Sequence, residues 1–345
     1  MSKKLLPVLI GAALTCGVNL AAADVTLFGH IDTSFIGIDQ DGGADDTVFR
    51  CTTCSVGFKG SEDLGNGLKA IFKLDFQYDT TVRNDGDGVS SDGDNDNSGL
   101  IDRDQWVGLA GGFGKVRIGT ISTVYKSHGA MIDPLYRTAL QGRDRGLQSS
   151  FHSSAGEELQ GRATHTIRWD SPSFSGVQLG AHYTLDSNEA TEDENPYGIG
   201  ASYSNGGILA FADYMDNAQS GASEKNAWKV GGKYDMGMFS FMGQYEDYQN
   251  SSTDEETAWH VAGGVNGLLG MNLYLGFGIT EDDTSNDEAT SWTLAVSHNM
   301  SKRTMVYAGH SQVDCDTGTT LSACSAVGAS GGEDDRTAFG IKHKF

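Results

Sequence analysis

The 345-residue sequence predicts an all-β fold, a 16-stranded antiparallel barrel that crosses a membrane with strands. Three observations predict it. The chain is a succession of two-faced segments with a two-residue period. Short Gly/Ser/Asn turns alternate with long acidic stretches between those segments, as in barrels with short turns on one side of the membrane and longer loops on the other. Hydrophobic residues make up only 38% of the chain, too few for a packed interior of this length. A water-filled barrel needs an apolar surface only where lipid touches it.

The elements follow in order. Lys3 and Lys4 precede an apolar run over 5–20 and Ala21, Ala22 and Ala23. That is a secretory leader with an A-x-A site, so residues 1–23 are a signal peptide and 24–345 the exported barrel domain. No later run approaches the ~20 apolar residues of a membrane helix. Residues 25–38 place Val25, Leu27, Gly29, Ile31, Thr33 and Phe35 on one face, and Thr26, Phe28, His30, Asp32 and Ser34 on the other. A polar loop over 39–46 and a short strand in 55–67 come next. Over 68–79, Leu68, Ala70, Phe72, Leu74, Phe76 and Tyr78 alternate with Lys69, Ile71, Lys73, Asp75, Gln77 and Asp79.

Residues 79–104 read as a long Asp/Gly/Asn/Ser loop. Its Asp92, Asp94 and Asp96 imitate the start of an EF-hand, but Asn97 and Arg103 occupy the positions that need Gly and Glu, so a solvated acidic loop is expected. A hairpin turns at GGFG between 105–110 and 115–121. The 39 residues over 122–160 show no period, which marks a functional loop. Five strand–turn–strand units follow from residue 162, separated by acidic loops over 186–195, 216–226, 250–256 and 281–288. The last and longest of these acidic loops covers 313–334. The closing strand, 335–345, turns Thr337, Phe339, Ile341, His343 and Phe345 to one face and Arg336, Ala338, Gly340, Lys342 and Lys344 to the other. An exposed edge of this kind aggregates in water, and pairing it with the first strand removes the edge.

Acidic residues outnumber basic ones 46 to 24, for a net charge of −22, or −24 without Lys3 and Lys4. Nucleic acid is excluded as a partner on this balance. Cys16 falls in the leader, and Cys51, Cys54, Cys315 and Cys324 remain as disulfide candidates with three possible pairings. A Cys315–Cys324 bond closing the tip of the last loop is expected, against crossed pairs with Cys51 or Cys54. No metal spacing and no nucleophile motif such as G-x-S-x-G accompany the histidines. No enzyme activity, cofactor or metal is expected. Trp106, Trp169, Tyr183, Tyr214, Trp228, Tyr245, Trp259 and Trp292 are placed in interface girdles.

The stretches DVTLFGHID (24–32), GFKGSEDLGNGLKAIFKLD (57–75), QWVGLAGGFGKVRIG (105–119), NMSKRTMVYAG (299–309) and FGIKHKF (339–345) resemble, in order, the general diffusion porins of Gram-negative bacteria, in the branch with a DVTLYG-type opening strand. The resemblance implies a homotrimer in the outer membrane, a third loop folded into the barrel, and Phe345 as part of the signal read by the barrel-assembly machinery. Outer-membrane lipid, lipopolysaccharide, and small hydrophilic solutes and ions are the expected partners. In the family, basic wall residues face carboxylates on the third loop. By position, His30, Ser55, Asp75, Arg103 and Arg162 stand on that wall, although Ser55 and His30 replace the usual basic residues. The third loop, DPLYRTALQGRDRG over 133–146, lacks the PEFGG-like run of some members.

The expected constriction therefore combines Asp75, Arg103, Arg117, Arg162 and Arg168 with Asp133, Asp144, Glu157 and Glu158. Arg162 and Arg168 share the lumen face of their strand. A passive, water-filled pore is expected, cation-preferring because acidic outer loops outweigh the basic wall at low salt. A substrate-specific channel and an outer-membrane hydrolase are the alternatives.

Overall fold

The first and last strands zip together. The computed structural model describes residues 24–41, 45–81, 100–142, 145, 155–156, 161–185, 195–217, 224–251, 254–316, 321, 324 and 331–345. In it β1 (Asp24–Gln40) pairs with β16 (Gly332–Lys344), from His30 opposite Lys344 to Gln40 opposite Asp334. The other edge of β1 pairs with β2, a single stave in two pieces, Asp46–Cys51 and Ser55–Gly65. Around the ring follow β3 (Leu68–Gln77), β4 (Ile101–Gly111), β5 (Gly114–Ser122), β6 (Arg162–Asp170), β7 (Val177–Thr184), β8 (Tyr197–Asn205), β9 (Ile208–Asp216), β10 (Asn226–Met236), β11 (Phe239–Ser251), β12 (Asp254–Leu268), β13 (Met271–Asp282), β14 (Glu288–Asn299) and β15 (Thr304–Cys315). These are sixteen antiparallel staves. Ala155–Gly156 adds a two-residue parallel pairing at Arg162 and Ala163. A closed ring satisfies the strand backbone internally, which a bilayer core demands.

The period-two pattern sorts the side chains as expected. Along β1, Val25, Leu27 and Phe35 point outward and are more than half exposed, while His30, Asp32, Ser34 and Ile36 are buried inside. Along β16, Phe339 and Ile341 face out, while Ala338, Gly340 and Lys342 face in. Moving one large apolar side chain out of water is worth about 1.5–3 kcal/mol, so the outer belt drives insertion. Near the loop end, aromatic neighbours make a continuous row: Tyr197–Tyr214 with ring centres 6.2 Å apart, Trp228–Tyr245 at 5.3 Å and Trp259–Phe277 at 5.8 Å. Such a row suits the headgroup level.

Trp106 departs from the girdle. It pairs opposite Gly119, while Gly108 on the same face pairs opposite Arg117, so Trp106 points into the lumen with Arg117 5.2 Å from its ring. Parity with Val107 and Leu109, both exposed outside, carries the signal that its position near a strand end hides.

Strand boundaries shift as well. Ladder pairing runs on into the acidic segments: only residues 252–253 separate β11 from β12, and β13 reaches Asp282 while β14 starts at Glu288. Backbone pairing continues beyond the bilayer because water solvates the carboxylates on both faces. Likewise β1 reaches Gln40, and β2 begins at Asp46, in a stretch expected to be loop. Ile101–Asp104 belong to β4. The acidic residues Asp92, Asp94 and Asp96 lie outside the described residues.

Two residues of β1, 31–32, stand opposite three of β2, 52–54, between the pairs Thr33–Cys51 and His30–Ser55. This bulge breaks β2, and Cys51 and Cys54 are joined across it. Cys315 and Cys324 are joined in the last loop. The terminal Phe345 exchanges backbone hydrogen bonds with Gly29, of 3.1 and 3.2 Å, and lays its ring over that glycine. A Cβ at position 29 would sit 2.6 Å from the ring, so only Gly fits.

Candidate functional site

The segment after β5 turns into the lumen. It opens on a short helix, α1 (Val124–Gly129), absent from the sequence reading because six residues carry too little period to detect. Thr123 caps it, accepting a 3.2 Å hydrogen bond from Lys126 N. Its residues then follow the inner wall. His128 Nδ1 lies 2.7 Å from Asp213 Oδ1 on β9. Lys229 Nζ on β10 donates to Tyr125 O at 2.6 Å and stands 3.8 Å from that ring.

Further on, Ile132, Leu135, Ala139 and Leu140 are buried against Ile36, Phe211, Met242, Ala262, Tyr274, Tyr307, Ala295 and Ala338 of the wall. This is the largest of three buried apolar clusters among the described residues, and it serves to seat the loop. Gly309 makes room for it, since a Cβ there would lie 2.7 Å from Leu140 Cδ1. The Tyr307 hydroxyl accepts from Ala139 N at 3.2 Å and donates to Asp32 Oδ1 at 3.0 Å, tying loop to β1. Lys342 Nζ donates to Tyr136 O.

Arg145 closes the arc. Fully buried, it donates to Asp334 Oδ1 at 2.5 Å, Asp334 O at 2.8 Å, Ser311 Oγ at 3.2 Å and Ser311 O at 3.2 Å. Asp133 shapes the turn, accepting from Leu135 N at 2.9 Å and Gly142 N at 2.8 Å.

The loop thus covers the inner face of β8–β16 and β1. A charged row stands on β3–β6: Lys73, Arg103, Arg117, Arg162 and Arg168 with Asp75, Asp104 and Asp170. Asp104 is shared by Lys73 at 3.0 Å and Arg162 at 2.8 Å, and also accepts from Ser122 Oγ at 2.7 Å. Asp75 lies 3.1 Å from Lys73 and 3.7 Å from Arg103. Arg117 and Arg168 share Asp170, and Arg168 also donates to Ser127 Oγ at 2.9 Å at the foot of the loop. Among the described residues five cations of the row meet three carboxylates, an excess of positive charge. Arg137 adds to it from the loop. It is held at φ 63°, costly for a bulky residue, with its N–H donating to Gln141 Oε1 at 2.9 Å and its guanidinium 3.3 Å from His30 Nδ1. His30 is bracketed by Thr53 and Ser55, each at 3.2 Å.

A family model described as Gram-negative porin matches residues 8–318. The chain belongs to the Gram-negative porin family. Its relatives include major outer membrane protein P.IB of Neisseria meningitidis, 32% identical over 209 residues, which are 58% of this porin and 56% of the relative. The Neisseria gonorrhoeae protein of the same name is 31% identical over 215 residues, 59% and 54% of the two chains. The porin thus spans little more than half the length of the curated relatives it matches. The fold is that of an anion-selective porin from Comamonas acidovorans, with a TM-score of 0.77, 23% identity and coverage of 94% of this chain and 100% of that one. A trimer form of OmpT from Vibrio cholerae superposes with a TM-score of 0.69 at 15% identity, covering 94% and 100%. Family and fold place this porin in the outer membrane.

Of the residues singled out from sequence, the structure gathers Asp75, Arg103, Arg117, Arg162 and Arg168 into one row of the porin's wall, with His30 and Ser55 beside it. Asp133 lies in the loop with both carboxylate oxygens turned to loop amides. Asp144, Glu157 and Glu158 lie outside the described residues. Sequence reading missed Lys73, Asp104 and Asp170 as members of the row. Lys73 shares its strand face with Asp75, so parity could have found it. Asp104 was hidden by its assignment to a loop.

Proposed function

We propose that this porin is a passive, water-filled channel of the outer membrane for small hydrophilic solutes and ions, working as a homotrimer. The observation that carries the reading is the loop seated inside a closed barrel opposite a row of paired but incompletely neutralised charges. A purely structural barrel has no use for a lumen narrowed in this way. The names of the Neisseria relatives and the trimer form of OmpT support the localisation and assembly, with lipid, lipopolysaccharide and the barrel-assembly machinery as the expected partners.

Ion preference is a contest between two fields. The row on β3–β6 with Arg137 favours anions at the narrow level, and the Comamonas porin of the same fold is anion-selective. The loop end carries Asp39, Asp45, Asp46, Glu281, Asp283 and Asp314, among others, which concentrate cations at the entrance. The Debye length is ~8 Å at 0.15 M salt and ~30 Å at 0.01 M, so the acidic mouth extends its reach as salt falls. Cation preference at low salt, weakening as salt rises, is the expected outcome. Reversal potentials of the purified porin in planar bilayers, measured in KCl gradients at about 0.01–0.1 M and at about 1 M, test it. Anion preference at every salt would assign selectivity to the arginine row, and the absence of ion conduction would overturn the channel itself.

A further inference from the structure

Between the charged row and the short turns, the lumen wall is hollowed by a recess of about 460 Å³ lined by Asp24, Lys59, Ile71, Trp106, Lys115 and Arg117, with Thr26, Ser61 and Asp170 among the remaining neighbours. We propose that this recess is a binding site for small aromatic carboxylates on their way through the pore. The proposal rests on the channel reading above.

The argument starts from charge. Every cation of the row above is engaged: Lys73 and Arg103 with Asp75, Arg162 with Asp104, and Arg117 and Arg168 with Asp170. An anion passing the row competes with carboxylates that are already in place. In the recess Arg117 is again held by Asp170, and Asp24 lines the same hollow, but the two lysines stand apart from both. Lys59 and Lys115 have no carboxylate within 4 Å among the described residues, and both side chains are solvent-exposed in the lumen. Their long stems let each ammonium reach a carboxylate held in the recess without disturbing the wall.

The second observation is the aromatic floor. Trp106 is turned into the lumen against the girdle rule and lines the recess beside Ile71. A guanidinium already stands 5.2 Å from the Trp106 ring, and Lys59 stands 5.3 Å from the ring of Phe28 nearby. An indole and an aliphatic side chain side by side offer a flat apolar surface to a ring, while the lysines offer charge to its carboxylate. Trp106 Nε1 has no hydrogen-bond partner among the described residues, so small adjustments of the ring cost the wall no bond. A recess of this volume admits a benzoate-sized ligand with water and remains open to the lumen, so binding is weak and exchange fast, as passage requires.

The test is transient block of single-channel current by benzoate added from either side in planar bilayers, with acetate, cyclohexanecarboxylate and benzylamine as comparisons. Benzoate should block at lower concentration than acetate or cyclohexanecarboxylate, and benzylamine should not block. Lys59→Gln with Lys115→Gln should raise the half-blocking concentration of benzoate at least about 5-fold. Trp106→Leu should remove the preference for benzoate over cyclohexanecarboxylate, whatever it does to the open current. Lys233→Gln, at a lysine on β10 paired with Asp235 at 2.9 Å, should leave the block as it is. Equal block by all three acids, or block unchanged in the lysine double variant, would overturn the site while leaving the channel standing. A protein that conducts no current would remove the channel reading first.

Discussion

Arg145 holds the far end of the inserted loop, and its removal should open the pore without unfolding the barrel. Its guanidinium donates four hydrogen bonds to Asp334 and Ser311 on β16 and β15, and the Arg145–Asp334 pair is fully buried. Breaking one partner of such a pair costs about 3–5 kcal/mol, because the remaining charge is left without compensation. Arg336 offsets part of that cost, since its Nε is 3.1 Å from Asp334 Oδ1. About 2–3 kcal/mol is then the expected loss in Arg145→Ala, and every 1.4 kcal/mol is tenfold in an equilibrium. The undocked loop should become about 30–150 times more populated. The barrel ladder is untouched, so the heat needed to dissociate and unfold the assembly should move little. Single-channel recording reads the change directly, as more frequent excursions to higher conductance in Arg145→Ala, partly suppressed in Arg145→Lys. Identical open-level statistics in the native and Ala proteins would refute the anchoring role. A large fall in barrel melting temperature with no new conductance level would show that the pair stabilises the barrel and not the loop position.

Gly309→Val should act on the same equilibrium from the other side: its side chain would overlap Leu140 and Ala295, at about 1–3 kcal/mol, and the combination with Arg145→Ala should be less than additive because both release one segment. Deleting Phe345 or changing it to Ala should lower the amount of heat-modifiable, folded oligomer in outer-membrane fractions, and native levels in the deletion would contradict the role of the terminal ring. Peptide mapping without reductant should recover Cys51 with Cys54 and Cys315 with Cys324; peptides crossing between the two loops would exclude that pairing.

The barrel was legible because a strand writes its two faces into the chain one residue at a time. Phe339 and Ile341 against Lys342, or Leu74 against Asp75, need no partner to declare which side is wet. The pore interior was less legible because its order comes from contacts far apart in sequence. Nothing local to Asp334 says that a guanidinium 189 positions away will bury itself there. The six-residue helix was invisible for a different reason: fewer than two turns give no period, and its cap Thr123 is a common residue. Strand ends in the acidic stretches were misread because solvated carboxylates on both faces erase the alternation while backbone pairing continues. Trp106 shows the reverse case, in which the pattern was readable and a rule about aromatics at strand ends overrode it.

The inserted loop leaves the wall between β5 and β6, yet it rests on β15, β16 and β1, the staves on either side of the closing seam. The landing place for Leu140 and Arg145 is built by the hairpin of β15 and β16. The width of the passage is therefore set in part by the closing hairpin, on the far side of the lumen from the charged row. A change in the C-terminal strands can retune what crosses the membrane without touching a single residue of the charged row.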